Sequence, residues 1–151
     1  MNVLGTGSAK KLLGVDPRLV VVVMRALQKS PIDFSVICGP RTLEEQGEIR
    51  NNGQSWTSPE NSKHIPTVYL SESAWRFESV SLCHAVDLAA WVDGAISWEP
   101  EPYVQIAREA VFPAVEELGI AVRWGGDWNG SGDWRDEVQR GTFDGGHWEL
   151  V

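Results

Sequence analysis

Three histidines, His64, His84 and His147, supply every imidazole in the 151-residue chain, and each stands near a carboxylate or a turn. Histidines and carboxylates are the raw material of a hydrolytic zinc centre. Such a site takes about three His, Asp or Glu ligands and leaves a fourth position for water, whose pKa the metal lowers to roughly 7. His64, Asp87 and His147 can supply that set. A lone histidine is ordinarily a hydrogen-bonded core or surface residue, so local context has to carry the argument. In Asp144-Gly145-Gly146-His147-Trp148-Glu149 a histidine opens a terminal strand, with a carboxylate three residues upstream across a flexible Gly-Gly turn. Strand alternation sends His147 and Glu149 to one face and Trp148 to the other. The turn can carry Asp144 back over a metal bound to His147, where a general base takes a proton from water. Asp before Gly is equally a common turn former.

A second group of oxygens lies just upstream. Asp127, Asn129, Ser131 and Asp133 alternate with other residues and are followed by Asp136 and Glu137. That spacing is close to the ligand rhythm of an EF-hand calcium loop. Position 12 of the rhythm is Val138, so the closing carboxylate has to come from Asp136 or Glu137. The same residue types also fill any tight loop.

These groups must be held by regular elements. Asp16-Pro17 reads as a cap followed by a first helical proline, and Leu19, Val20, Val23, Met24 and Leu27 recur at helical spacing until Ser30-Pro31. The valines would also suit a strand, but cap and period favour the helix. A short strand over 34–38 ends at Gly39-Pro40. Thr42 with Glu45 forms a capping box for a second helix that fades at Asn51-Asn52-Gly53. Residues 54–63 read as loop. Residues 85–92 are apolar with Asp87 as their one charge, and Asp93-Gly94 signals a hairpin into 95–98. Tyr103, Ile106, Ala107, Ala110, Val111, Ala114, Val115 and Leu118 mark a long amphipathic helix, kinked at Pro113 and ended by Gly119. Strands follow over 120–124 and 147–151, with a Gly, Asp and Trp-rich loop over 125–141. Helices and strands without regular alternation predict an α+β fold, a small mostly antiparallel sheet packed with three helices, with the zinc site at the sheet face.

Composition excludes several classes. With 13 basic and 21 acidic residues the formal net charge is −8, and the basic footprint that nucleic acid requires is missing. No apolar run is long enough to insert in a membrane. The first residues have no hydrophobic stretch with a small-residue cleavage site, which leads us to expect a protein kept in a cytoplasm until something releases it. In a reducing compartment Cys38 and Cys83 are expected as buried thiols without a chemical role. Eight tryptophans hint at an aromatic-lined cleft.

Four motifs, Ser62-Lys63-His64, His84-Ala85-Val86-Asp87-Leu88, Trp124-Gly125-Gly126-Asp127-Trp128 and Asp144-Gly145-Gly146-His147-Trp148-Glu149-Leu150, occur in this order, with Gly39-Pro40-Arg41-Thr42 ahead of the second helix. Together they resemble the bacteriophage L-alanyl-D-glutamate peptidases, endolysins of the zinc D-Ala-D-Ala carboxypeptidase/dipeptidase superfamily. The resemblance spans essentially the whole chain. It implies an α+β fold, one zinc held by His, Asp and His, and hydrolysis of the L-Ala to D-Glu bond in peptidoglycan stems. Carried over by position, it makes His64, Asp87 and His147 the ligands and Asp144 the catalytic carboxylate. It makes Arg41 the cation that steadies the substrate carbonyl, where positive charge helps the transition state more than the ground state. Loops like that over 127–136 are associated with calcium in some members. One departure stands out: the family usually holds its first His and Asp in a compact SxHxxGxAxD motif, whereas 22 residues separate His64 from Asp87 here. Residues 66–83 look inserted, with 67–70 and 77–82 able to pair as a hairpin around 71–76.

The expected protein is a single peptidase domain over 1–151, a monomeric zinc endolysin. It waits in the host cytoplasm before lysis, then reaches the periplasm and cell wall through a separate holin-type protein. Two rivals remain: a D,D-carboxypeptidase or dipeptidase of the same superfamily, and a non-catalytic Trp-rich wall-binding module. The latter has no reason to keep His64, Asp87, Asp144 and His147 together. His84 is the rival first ligand. It sits three residues before Asp87, and on a strand that odd spacing sends the two side chains to opposite faces.

Overall fold

The computed structural model describes residues 2–73 and 76–151. A short helix α1 (Thr6–Lys11), not foreseen in the sequence, precedes α2 (Pro17–Lys29). Asp16 caps α2 as expected, its Oδ1 accepting from the Arg18 N–H at 2.9 Å. The buried stripe is Leu19, Val22, Val23, Ala26 and Leu27, and this stripe with the cap overrides the strand preference of the valine run. After β1 (Asp33–Cys38), the Thr42 capping box starts α3 (Leu43–Asn51). α3 buries one side chain, the polar Gln46. A single 3-10 turn (Pro59–Asn61) interrupts the loop that follows.

The inserted segment forms β2 (Thr67–Ser73) and β3 (Arg76–Leu82), paired antiparallel from Thr67 opposite Leu82 to Ser73 opposite Arg76. The strands run further than the 67–70 and 77–82 expected; of the turn expected over 71–76, Ala74 and Trp75 lie outside the described residues. β4 (Ala85–Val92) and β5 (Ala95–Ser97) are joined by Asp93 and Gly94 with φ of 52° and 81°, the doubly left-handed turn that matches strand twist.

The long helix comprises α4 (Pro100–Ile106), a π-helical segment (Ala107–Val111) and α5 (Phe112–Leu118), ending at Gly119. The irregular turn precedes Pro113, which has no N–H to donate and whose ring crowds the carbonyl four residues back; the widened turn absorbs both. β6 (Val122–Trp124) follows. Residues 125–141, expected as loop throughout, contain α6 (Trp134–Arg140), capped by Asp133 through the Arg135 N–H. The Gly and Asp density of 125–133 hides that cap. β7 (His147–Leu150) closes the chain.

The main sheet has strand order β1-β4-β7-β6, with β5 pairing the far end of β4, and every strand pair is antiparallel. Alternation divides its two faces. Phe34, Val36, Val86, Leu88, Ala90, Trp124, Trp148 and Leu150 join the core with α2 and the long helix. Trp148, fully buried, stacks on Trp124 with centroids 5.6 Å apart. The opposite face carries the polar residues of the same strands, and register fixes their pairing: Asp87 lies across from His147, and Arg123 across from Glu149. Among the described residues no helix is long and apolar enough to cross a membrane.

Candidate active site

β4 and β7 place Asp87 and His147 side by side, and a loop brings His64 over them. Two backbone bonds seat that loop: the Arg41 N–H donates to the His64 carbonyl at 2.9 Å, and the His84 N–H to the Lys63 carbonyl at 2.8 Å. The β2–β3 hairpin closes the 22-residue gap, because Thr67 opposite Leu82 returns the chain to its starting point. Loop length matters little once the ends are paired. Gly39, between β1 and Arg41, passes so close to α1 that a Cβ would fall 1.9 Å from the Lys11 carbonyl oxygen. Only glycine permits that approach.

His64 Nε2, Asp87 Oδ1 and His147 Nδ1 form a triangle, with His64–Asp87 at 3.2 Å, His147–Asp87 at 3.0 Å and His64–His147 at 3.3 Å. The outer nitrogens are committed elsewhere. His64 Nδ1 lies 2.8 Å from the Gly39 carbonyl and His147 Nε2 lies 3.0 Å from Glu149 Oε2, both acceptors, so each outer nitrogen donates. When neutral, the rings aim lone pairs into the triangle beside a carboxylate oxygen, an arrangement suited to a cation at its centre. Tetrahedral zinc with ligands at about 2.0–2.1 Å would separate donor atoms by roughly 3.3 Å, so the residues fit the metal.

Protons fill the same role when metal is absent. Burial works against a charged His64 ring, but hydrogen bonds to Asp87 and Cys38 outweigh it and push its pKa up to about 10. Burial likewise opposes charge on His147, while bonds to Asp87 and Glu149 push it up to about 9. Burial alone would raise the Asp87 pKa, yet the two histidines hold that carboxyl well below the usual range.

Cys38, His64 and Asp87 also form a group whose ligand atoms all lie within 4.8 Å of one another, and which could hold a metal ion. This corrects the expectation that Cys38 has no part in the site. Its Sγ, however, lies 3.8 Å from His64 Nδ1, the nitrogen already bonded to Gly39, and accepts from Arg41 Nη2 at 3.1 Å. Cys83 is a buried free thiol.

Arg41 and Asp144 line the same cleft, of about 280 Å³. Arg41 donates to Gln46 Oε1 at 2.6 Å and to Asp87 Oδ2 at 3.3 Å as well as to Cys38. Asp144 keeps a solvent-exposed edge, but protein packed around its carboxyl and the charge of Asp87 raise its pKa above the ordinary aspartate value. His84 stands apart, its Nε2 3.6 Å from Asp16 Oδ2.

Two positioning groups went unnoticed in the sequence. Gln46, fully buried, accepts from Arg41 and from Ser62 Oγ (3.2 Å), and donates to Ser55 Oγ and the Thr57 carbonyl (both 3.0 Å). Arg123 donates through Nε and Nη2 to Glu149, extending the chain His147–Glu149–Arg123 outward. Strand alternation already set Glu149 beside His147, but nothing local marks Gln46. Of the tryptophans, Trp56 and Trp128 border the cleft region; Trp124 and Trp148 belong to the core.

In the loop over 127–136, Asp127 accepts from the Ser131 and Gly132 N–H groups, and Asp136 Oδ2 accepts from Asn129 Nδ2 (2.9 Å) and Ser131 Oγ (3.0 Å). Asp136 Oδ1 is buried with no hydrogen-bond partner among the described residues. Asp133 is turned to capping α6.

A family model described as phage L-alanyl-D-glutamate peptidase matches residues 2–151. The L-alanyl-D-glutamate peptidase of Escherichia phage T5 is 39% identical over 148 residues, covering 97% of this chain and 96% of that protein. The crystal structure of the Serratia marcescens L-Ala D-Glu endopeptidase ChiX matches with a TM-score of 0.71 at 34% identity, over 97% of this chain and 87% of that one. With a family match along essentially its full length and a relative well above 30% identity, the chain belongs to the phage L-alanyl-D-glutamate peptidase family.

Proposed function

We propose that the chain is a peptidoglycan endopeptidase, an endolysin that hydrolyses the L-Ala to D-Glu bond of the stem peptide, with zinc held by His64, Asp87 and His147. The observation that carries this reading is the triangle of three acceptor atoms 3.0–3.3 Å apart, walled by Arg41 and Asp144. The names of the relatives support the choice of bond. His147 is preferred to Cys38 because its Nδ1 faces the triangle, whereas the Cys38 thiol faces the His64 nitrogen already bonded to Gly39. Zinc in such a centre acts as a Lewis acid on a carbonyl and brings the pKa of water to roughly 7.

The remaining work falls to the chain's side chains. Asp144, with its raised pKa, takes a proton from the attacking water and delivers it to the leaving nitrogen. Arg41, anchored by Gln46, Cys38 and Asp87, sets a fixed positive charge where the carbonyl oxygen gains negative charge. Gly39 and Glu149 fix the ring orientations of the two histidines. We read residues 1–151 as one peptidase domain with 66–83 as an insertion, acting as a monomer. It is held in the host cytoplasm and admitted to the periplasm and wall by a holin-type protein. Calcium is a second cation in this reading, held by the loop of Asp127, Asn129, Ser131, Asp133 and Asp136; the buried Asp136 Oδ1, which has no hydrogen-bond partner among the described residues, supports it.

Mass spectrometry of digested peptidoglycan tests the reaction. New N-terminal D-Glu is the expected product. Fragments that have lost only a C-terminal D-Ala would assign the chain to the carboxypeptidase branch instead.

A further inference from the structure

An L-Ala to D-Glu bond fixes one property of the leaving side. Glutamate has two carboxyl groups and the peptide continues from one of them, so the other remains as a carboxylate beside the scissile bond. A chain of net charge −8 repels such a substrate at long range and needs a local cation to receive it. Resting on the endopeptidase reading above, we propose that Arg123, stacked on Trp128, is the subsite for this D-Glu carboxylate, and that the leaving peptide runs on from it into a second cavity.

The second cavity, of about 820 Å³, shares Arg123, Trp128 and Asp144 with the cleft around the triangle and continues past Arg140, Phe143 and Trp56. Asp144 must reach the leaving nitrogen to protonate it, so the leaving side lies along the wall that contains Asp144. Arg123 is on that wall, at the junction of the two cavities. It is also held ready. Two of its five N–H groups bind Glu149, its guanidinium lies 5.3 Å from the centroid of the Trp128 ring, and its side chain is 50% exposed. The other three N–H groups make no hydrogen bond among the described residues, and a planar fork of this kind matches a carboxylate.

The other cations are worse placed. Arg41 is engaged by Gln46, Cys38 and Asp87, and Arg140 by Asp136 and Glu137. Lys63 lines the smaller cleft without an ion pair among the described residues, but its flexible ammonium lacks the fork and is not on the wall shared by both cavities.

The test is a cycle of two substrates and three enzymes. Stem peptides carrying D-Glu with its free carboxylate, or with that carboxylate as a primary amide, are compared by kcat/KM in wild type, Arg123→Gln and Arg123→Lys. Wild type should prefer the free carboxylate by about tenfold to a hundredfold. Arg123→Gln should cut that preference to under about threefold, and Arg123→Lys should keep part of it. Both variants lose some rate on both peptides because Arg123 also braces Glu149; a purely structural role lowers both rates and leaves their ratio alone. An unchanged ratio in Arg123→Gln, no preference in wild type, or loss of the preference in Lys63→Gln alone overturns the subsite. Cleavage of neither peptide by wild type overturns the endopeptidase reading itself.

Discussion

Gln46 offers a test of how far the site depends on a fully buried side chain that holds Arg41. Its carboxamide makes four hydrogen bonds from a fully buried position, one to the charged Arg41. Gln46→Leu keeps nearly the same volume, so cavity effects are small. The bond to a charged group contributes about 1.5–3 kcal/mol and each neutral bond about 0.5–1.5 kcal/mol. Ser55, Thr57 and Ser62 are at least partly exposed and can turn to water, so their share falls at the low end, for a total of about 3 kcal/mol. With a urea slope near 2 kcal/mol/M, the unfolding midpoint followed by tryptophan fluorescence should drop by about 1.5 M. Arg41 keeps its contacts to Asp87 and Cys38, so it is loosened and not lost. Removing an oxyanion donor outright costs about 10²–10³ in rate, and loosening should cost about tenfold, in kcat more than in KM. Gln46→Glu retains the acceptor for Arg41 but opposes the Thr57 carbonyl, so it should stay destabilised with kcat within about threefold of wild type. A leucine variant within about 0.5 kcal/mol of wild type, with unchanged kcat, would refute this account of Arg41.

Other expectations follow from the same geometry. His64→Ala and His147→Ala should lose zinc and His84→Ala should keep it, as measured by metal content; full metal in His64→Ala would reverse the assignment. Asp144→Asn should retain zinc yet lose about 10²–10⁴ in rate, and near-normal activity would remove Asp144 from the mechanism. With ring pKa values near 10 and 9 in the metal-free protein, both histidines are protonated at neutral pH and zinc must displace those protons. Calorimetry in buffers of different ionisation enthalpy should therefore show proton release at pH 7 that declines as pH rises through 9 to 10, with zinc affinity weakening toward acid; no release at pH 7 would contradict the raised values. Calcium titrated into zinc-loaded protein should bind through Asp127, and no heat at millimolar calcium, or unchanged binding in Asp127→Ala, would end that proposal.

Elements whose signals are local were legible. The Asp16 cap with Pro17, the Thr42–Glu45 box and the Asp93–Gly94 turn each specify their own geometry within a few residues. Alternation along 147–149 separated His147 and Glu149 from Trp148, and the structure keeps that separation. The elements that escaped lack such marks: α1 is a six-residue helix with no side-chain cap, and α6 hides behind a glycine-rich stretch. The candidate site was readable as a set of residues because motif order grouped them, and the structure brings the side chains of that set to one cleft. Its supporting contacts were not, because Gln46 and Cys38 acquire their partners only when β1, α3 and the 55–64 loop pack together.

Zinc-edge X-ray absorption on the metal-loaded protein tests the central claim most directly. The account predicts a nearest shell of nitrogen and oxygen at about 2.0–2.2 Å, with two imidazoles and no sulfur. A sulfur neighbour at about 2.3 Å would place Cys38 in the centre and contradict the triangle of His64, Asp87 and His147.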